Sequence, residues 1–319
     1  MTKLDIKIKL TGGLGNQIFQ YLAAKRLSKT FPTAAISFIP TDYITRGYRE
    51  LLLKDIFDIR LSGMSNEPLL GRCIRSLSSR NSRIRMLYHK NYSLWGWRVM
   101  LCEEDMRRIG ASPPLINVER IIGKNMRDGK TQERLQEVII DGFWQDFLPL
   151  ADCSDISTDL GADTLKREFP SLIPGEYIAL HVRRGDYIEE SGAHREFGCA
   201  YDSLSFIRNA FSLIPKHLYR HPLVICSDDL EWCRLWSSSD ITKDFSRVLL
   251  IGSSSINDWL ILQSSRLNIC SNSTYSITAA ILNKLNSKKS VRCIIPTMYT
   301  KLIPSREKNW HMIPGSILV

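Results

Sequence analysis

Nowhere in this chain do two cysteines form a Cys-x-x-Cys pair, and the eight present (Cys73, Cys102, Cys153, Cys199, Cys226, Cys233, Cys270 and Cys293) are scattered. That spacing speaks against a zinc site and a disulfide frame, so reduced, mostly buried thiols of a cytosolic protein are expected. No apolar run is long enough to span a bilayer, and Met1 to Asp5 lack the long apolar region of a secretory signal. The expected place is the cytoplasm, with at most a peripheral contact at the inner face of the cell membrane. What is present is an ordinary globular composition, 44% hydrophobic and 24% charged over 319 residues, enough for two domains with separate cores. The formal charge of +10 implies an acidic partner, for which nucleic acid, nucleotide diphosphates and anionic lipid headgroups all qualify.

The stretch Tyr177-Ile178-Ala179-Leu180-His181-Val182-Arg183-Arg184-Gly185-Asp186-Tyr187 ends an apolar run abruptly in charged groups. In open α/β sheets ligands bind beyond the carboxyl ends of strands. Paired arginines there need an anion, and the planar guanidinium fork suits a diphosphate. A surface Arg–Asp cluster at a loop entrance is the alternative. Strand-like runs follow at 222–227, 247–251, 267–271 and 291–295, alternating with helical patterns near 201–216, 229–237, 256–265 and 275–285. Such alternation indicates parallel βαβ units in a doubly wound α/β domain. Two further polar groups fall after strands. Ser227-Asp228-Asp229 reads as a site or as a helix cap. Ser271-Asn272-Ser273-Thr274-Tyr275-Ser276 carries more hydroxyls than a cap needs and opens a helix, where an anion is favoured.

The N-terminal half opens with Leu4 to Leu10, which alternate as a half-buried strand does. Thr11-Gly12-Gly13-Leu14-Gly15-Asn16-Gln17 follows, then apolar residues at helical spacing. Strand, glycine turn and helix open a nucleotide- or sugar-binding βα unit, or merely a tight turn. The pattern is neither G-x-G-x-x-G nor a P-loop, since no Lys-Ser/Thr follows the last glycine. From Pro32 to Pro68 the pattern is mixed. Residues 71–100 carry Arg72, Arg75, Arg80, Arg83, Arg85, Lys90 and Arg98, with interleaved aromatics and no acidic residue. This stretch reads as a solvated segment or as a contact with an anionic membrane; nucleic acid is not the expected partner. Asp141-Gly142-Phe143-Trp144-Gln145 is an aromatic-polar turn, suited to a sugar face or to core packing. Residues 152–175 read as an interdomain connection.

Taken together, Gly12 to Tyr21, His181 to Tyr187 and Ser271 to Ser276, with weaker matches at 141–145 and 226–232, resemble the α-1,2-fucosyltransferases of family 11. More loosely they resemble the wider group sharing an H-x-R-R-x-D-like motif. A Trp-rich run that members often carry after the last segment is replaced by Ile277-Thr278-Ala279-Ala280. The resemblance implies a GT-B-like α/β fold of two Rossmann-like domains with a cleft between them. Residues 1–165 would form the acceptor side and 166–319 the GDP-fucose side, with the last residues packing back on the first domain. It implies inverting transfer of L-fucose from GDP-fucose to the 2-hydroxyl of a galactoside, such as a lipid-linked surface-polysaccharide repeat. No cofactor and no metal are expected, and the sequence holds no Asp-x-Asp anchor.

By position in the motifs, the resemblance implies Arg183 as the main β-phosphate ligand, and Arg184 as a supporting cation or a group held by Asp186. His181 contacts the nucleotide or is a satisfied core histidine. Tyr187, Asn272, Ser273 and Thr274 join the donor side, and Asp228 holds nucleotide or the motif loop. Gly13, Gly15, Asn16 and Gln17 border fucose and acceptor. Asp186, Glu189 and Glu190 are candidate bases, with Asp186 read as an electrostatic or structural residue. Alternatives are another linkage, such as α-1,6, and a non-catalytic nucleotide-sugar or glycan-binding protein.

Overall fold

Two sets of short runs rich in aliphatic residues pair in parallel to give two separate sheets. The computed structural model describes residues 4–63, 98–109, 112–127, 137–153, 156, 160–188, 195, 203–286, 292–313 and 315–319. The chain divides into two compact units, Met1–Gln145 and Asp146–Val319. Both are Rossmann-like α/β units, the fold class expected from the sequence.

In the first unit, β1 (Asp5–Leu10) runs into α1 (Leu14–Thr30), β2 (Ala35–Pro40) and the short α2 (Asp42–Thr45). Further on come β3 (Arg98–Cys102), α3 (Glu103–Ile109), α4 (Pro114–Arg127) and β4 (Glu137–Asp141). The strands lie in the order β2-β1-β4-β3. Alternating charge in β1 suggested a wet face, but the strand is interior. Lys7 is 7% exposed, with its Nζ 2.6 Å from Glu137 Oε2 on β4. Lys9 Nζ lies 2.7 Å from Asp141 Oδ2 one turn of the pleat further on. Cross-strand ion pairs replace water on that face, as burial of charge requires.

The second unit starts with α5 (Leu160–Glu168) and then β5 (Ile178–Val182), α6 (Gly185–Ile188), α7 (Ser203–Ser212) and β6 (Leu223–Ser227). It continues through α8 (Leu230–Ser237), β7 (Val248–Ile251), α9 (Ser255–Gln263), β8 (Leu267–Ile269), α10 (Thr274–Asn286), β9 (Arg292–Ile295) and β10 (Ser316–Leu318). The strand order is β10-β9-β8-β5-β6-β7, parallel throughout. Helices cover both faces, which is why these strands read as unbroken apolar runs. Ile178, Leu180 and Val182 face one core with Phe206, Ile207, Cys233 and Trp236. Strand alternation turns His181 to the opposite face.

Two expectations change. The division falls at Gln145/Asp146, not at 165/166, because Leu150, Cys153, Ile156, Leu165 and Leu172 are buried and belong to the second unit. The segment read as a connection contains α5. The final residues form β10, which pairs with β9 at the edge of the second sheet. The six described cysteines form no disulfide, and five are buried. Burial pushes the Cys233 thiol up to about 11 and Cys293 to about 12, so both stay protonated. No helix among the described residues is long and apolar enough to cross a membrane. Arg72, Arg75, Arg80, Arg83, Arg85, Lys90, Glu189 and Glu190 lie outside the described residues.

Candidate active site

From β5 the chain of the second unit winds outward through β6 and β7, then returns to the other side of β5 with β8, β9 and β10. The loops leaving β5 and β8 therefore part at a topological switch point, where α/β sheets bind ligands. His181–Tyr187 spans the end of β5 and the loop after it, Ser271–Ser276 follows β8, and Ser227–Asp229 spans the end of β6. In the parallel register Val182 stands opposite Ser227, so Arg183 and Arg184 emerge beside Asp228 and Asp229.

Arg183 is held by two carboxylates: Nη2 is 2.7 Å from Asp186 Oδ1 and Nη1 is 2.7 Å from Asp228 Oδ2. Its guanidinium also lies 5.6 Å from the Tyr187 ring centroid, and the side chain stays 28% exposed. Of the two alternatives for Arg184, a supporting cation or a group held by Asp186, the structure does not show the second: Asp186 holds Arg183, and Arg184 is held elsewhere. Its Nε donates to Asp229 Oδ2 at 3.0 Å, and its guanidinium stacks 4.0 Å over Trp232. Asp229 in turn caps α8, accepting from Trp232 N–H at 3.0 Å. That backbone bond and the Arg184 guanidinium hold the Asp229 carboxyl below its usual range, against the opposing effect of burial. Asp228 accepts the Arg184 N–H at 2.8 Å, so it holds the motif loop. Gly185 is needed for this approach, because a Cβ there would sit 2.6 Å from Asp228 Oδ2.

His181 is buried, and its Nδ1 shares a 2.7 Å hydrogen bond with Ser271 Oγ, tying the β5 end to the β8 end. The Tyr275 ring packs 5.1 Å away. Burial, then the Arg183 charge, pushes the imidazole down to about 3, so it is neutral. Tyr187 Oη donates to the Asn272 carbonyl at 3.3 Å; burial raises this phenol, which remains a donor. Asn272 is buried too, its Nδ2 donating to the Tyr299 carbonyl at 3.1 Å, so it braces the loop. Ser273 is the cap of α10, accepting from Tyr275 N–H at 3.4 Å, and Thr274 opens that helix with a partly exposed side chain. First-turn N–H groups of a helix have no intrahelical acceptors and favour an anion.

In the first unit, Gly12 takes a left-handed φ of +77°, and a Cβ there would strike the Asn16 side chain. Gly13 caps α1 with extended backbone, and Gly15 is buried in the first turn. Asn16 Oδ1 accepts from Gln145 Nε2 at 3.1 Å. Gln17, expected to border fucose and acceptor, faces inward. It is fully buried, its Nε2 donating to the Gly12 and Glu50 carbonyls and its Oε1 accepting from Leu52 and Leu53 N–H. With all four bonds internal, it fastens the glycine turn to residues 50–53. Glu103 is a residue the sequence reading missed. Its Oε2 accepts from Phe143 N–H at 2.7 Å and Trp144 N–H at 2.8 Å, fixing the turn after β4. An acidic residue opening a helix looks like ordinary dipole pairing, so no local signal marked it.

The family model for glycosyl transferase family 11 matches residues 142–313, which includes the whole switch point. The chain belongs to this family. It is similar to an α-1,2-colitosyltransferase of Escherichia coli, 22% identical over 279 residues, covering 84% of each chain. Among solved structures it is similar to POFUT1 in complex with GDP (TM-score 0.49, 9% identity, 92% of this chain and 98% of that one). It is also similar to the Escherichia coli ADP-heptose heptosyltransferase II (TM-score 0.46, 11% identity, 99% and 90%).

Within this family 11 chain the buried imidazole makes a pH prediction. An unfolded histidine takes up a proton below about 6.5, whereas His181 resists until about 3. Between these values the unfolded state binds more protons, so stability rises with pH and is lost on acidification. At pH 5 His181 should lower stability by about 2 kcal/mol relative to pH 8. Denaturant unfolding of wild type and His181→Gln across pH 4–8 checks this: the difference between the two should shrink toward acid.

Proposed function

We propose that this family 11 glycosyltransferase moves L-fucose from GDP-fucose to the 2-hydroxyl of a galactoside, inverting the anomeric carbon without a metal ion. The observation that carries this reading is a partly exposed arginine, Arg183, aimed by carboxylates at the switch point beside the start of α10. When the acceptor hydroxyl oxygen attacks C1, the C1–O bond to the β-phosphate breaks, the hydroxyl proton is released to solvent, and negative charge grows on the departing GDP. A guanidinium already in position stabilises that charge without reorganising, and the first-turn N–H groups of α10 add to it. Asn16 and the glycines beside it are the proposed acceptor contacts of the first unit, and Gln17 is not.

The relative named for colitosyl transfer favours a second reading, in which the donor carries colitose, that is, fucose lacking its 3-hydroxyl. The test is GDP release in EDTA from GDP-fucose, with and without β-galactosides, and from the colitose donor in competition. Galactoside-dependent release from GDP-fucose that survives EDTA supports the first reading. Preference for the colitose donor supports the second, and loss of turnover in EDTA removes metal independence.

A further inference from the structure

The guanidinium assigned to the departing diphosphate already carries two carboxylates, Asp186 on Nη2 and Asp228 on Nη1. Arg184 is committed to Asp229 and Trp232. Among the described residues two guanidinium groups thus meet three carboxylates, so this cluster of five carries a charge of −1 where a diphosphate has to bind. A further anion is repelled there unless one carboxylate yields.

The two partners of Arg183 are not equivalent. Asp228 is tied to the main chain, accepting the Arg184 N–H through its other oxygen, and it packs against Gly185 with no room for a Cβ. Moving it would unlatch the motif loop. Asp186 sits three residues from Arg183 on the four-residue α6, with a side chain 33% exposed, and rotation about its own χ1 withdraws it without breaking that latch. A phosphate oxygen presents to the guanidinium fork much what a carboxylate oxygen presents, so one replaces the other without moving the arginine.

We infer that Asp186 is a resident counter-ion, displaced from Arg183 by the diphosphate of the incoming donor, while Asp228 stays and aims the guanidinium. This rests on the donor reading above, since the displacing group is the diphosphate of a guanosine nucleotide. Asp186 keeps Arg183 extended before binding and competes with the ligand for it. Its removal therefore has the opposite sign from that of a bracing residue.

The experiment is calorimetric titration of GDP into wild type, Asp186→Asn, Asp186→Ala, Asp186→Glu and Asp228→Asn, each checked by thermal unfolding. Asp186→Asn and Asp186→Ala should bind GDP about tenfold more tightly, the worth of one charge interaction of this kind. Asp186→Glu, which keeps the charge, should bind no more tightly than wild type, and Asp228→Asn should bind about tenfold more weakly. Weaker or unchanged GDP binding in folded Asp186→Asn, or in Asp186→Ala if the first does not fold, overturns the displacement and makes Asp186 a brace. Failure of wild type itself to bind GDP overturns the donor reading, and this inference with it.

Discussion

Arg183→Ala should lower kcat/KM for glycosyl transfer by about a thousandfold, the upper range for removing one preorganised group that stabilises developing negative charge. Two effects combine. The guanidinium beside the leaving diphosphate is lost, and Asp186 and Asp228 are left without the cation they share. The second effect repels the donor, so KM should rise while kcat falls. Arg183→Lys restores a charge but not the fork that meets two carboxylates at once, so it should recover only part of the loss. Steady-state kinetics of the three proteins, with melting curves to exclude unfolding, check this. Near-normal turnover in a folded Arg183→Ala would remove the arginine from the proposed mechanism.

Gly185→Ala should separate activity from stability. Gly185 has ordinary helical backbone, so alanine meets no conformational objection there. Its methyl would nevertheless sit 2.6 Å from Asp228 Oδ2 and 3.3 Å from Asp228 Cγ. Asp228 must turn away, releasing both the Arg184 N–H and Arg183 Nη1. The guanidinium then loses its aim, and displacements of this size near reacting atoms cost on the order of a hundredfold in rate. Unfolding free energy should change by about 1 kcal/mol, since the groups are partly exposed and their screened pairs contribute little. Denaturant unfolding beside kcat/KM measures both. Wild-type kinetics in the variant would mean that Asp228 aims nothing.

The second unit was largely legible in the sequence because its strands are buried on both faces and written as apolar runs with helices between them. Observed strands depart from the expected 177–182, 222–227, 247–251 and 291–295 by a residue at one end. The run expected at 267–271 stops at Ile269, because Cys270 to Ser273 turn into the switch-point loop. The helix expected to 216 ends at Ser212, and a 3-10 turn follows Pro215, which cannot donate to a continuing helix. Less was legible in the first unit. β2 lies in a stretch with no clear period, and the charges of β1 looked solvated because their partners, Glu137 and Asp141, are remote in sequence. Gln17 looked like a ligand contact for the same reason: its acceptors and donors lie at residues 12 and 50–53.

By itself the sequence determined which chemistry is available and roughly where: arginines and an aspartate after one strand, two aspartates after another, hydroxyls opening a helix after a third. Local patterning suffices for that, since strand runs and the polar groups ending them are contiguous. Only the tertiary structure decided the pairing. Three-residue spacing left open which arginine Asp186 would hold, and it holds Arg183. The parallel register of β5 and β6 set Asp228 and Asp229 beside Arg183 and Arg184, giving one arginine an aimed, partly open face and locking the other onto Trp232. A charge's partner is fixed by proximity in space, and proximity between separate strands is a property of the sheet.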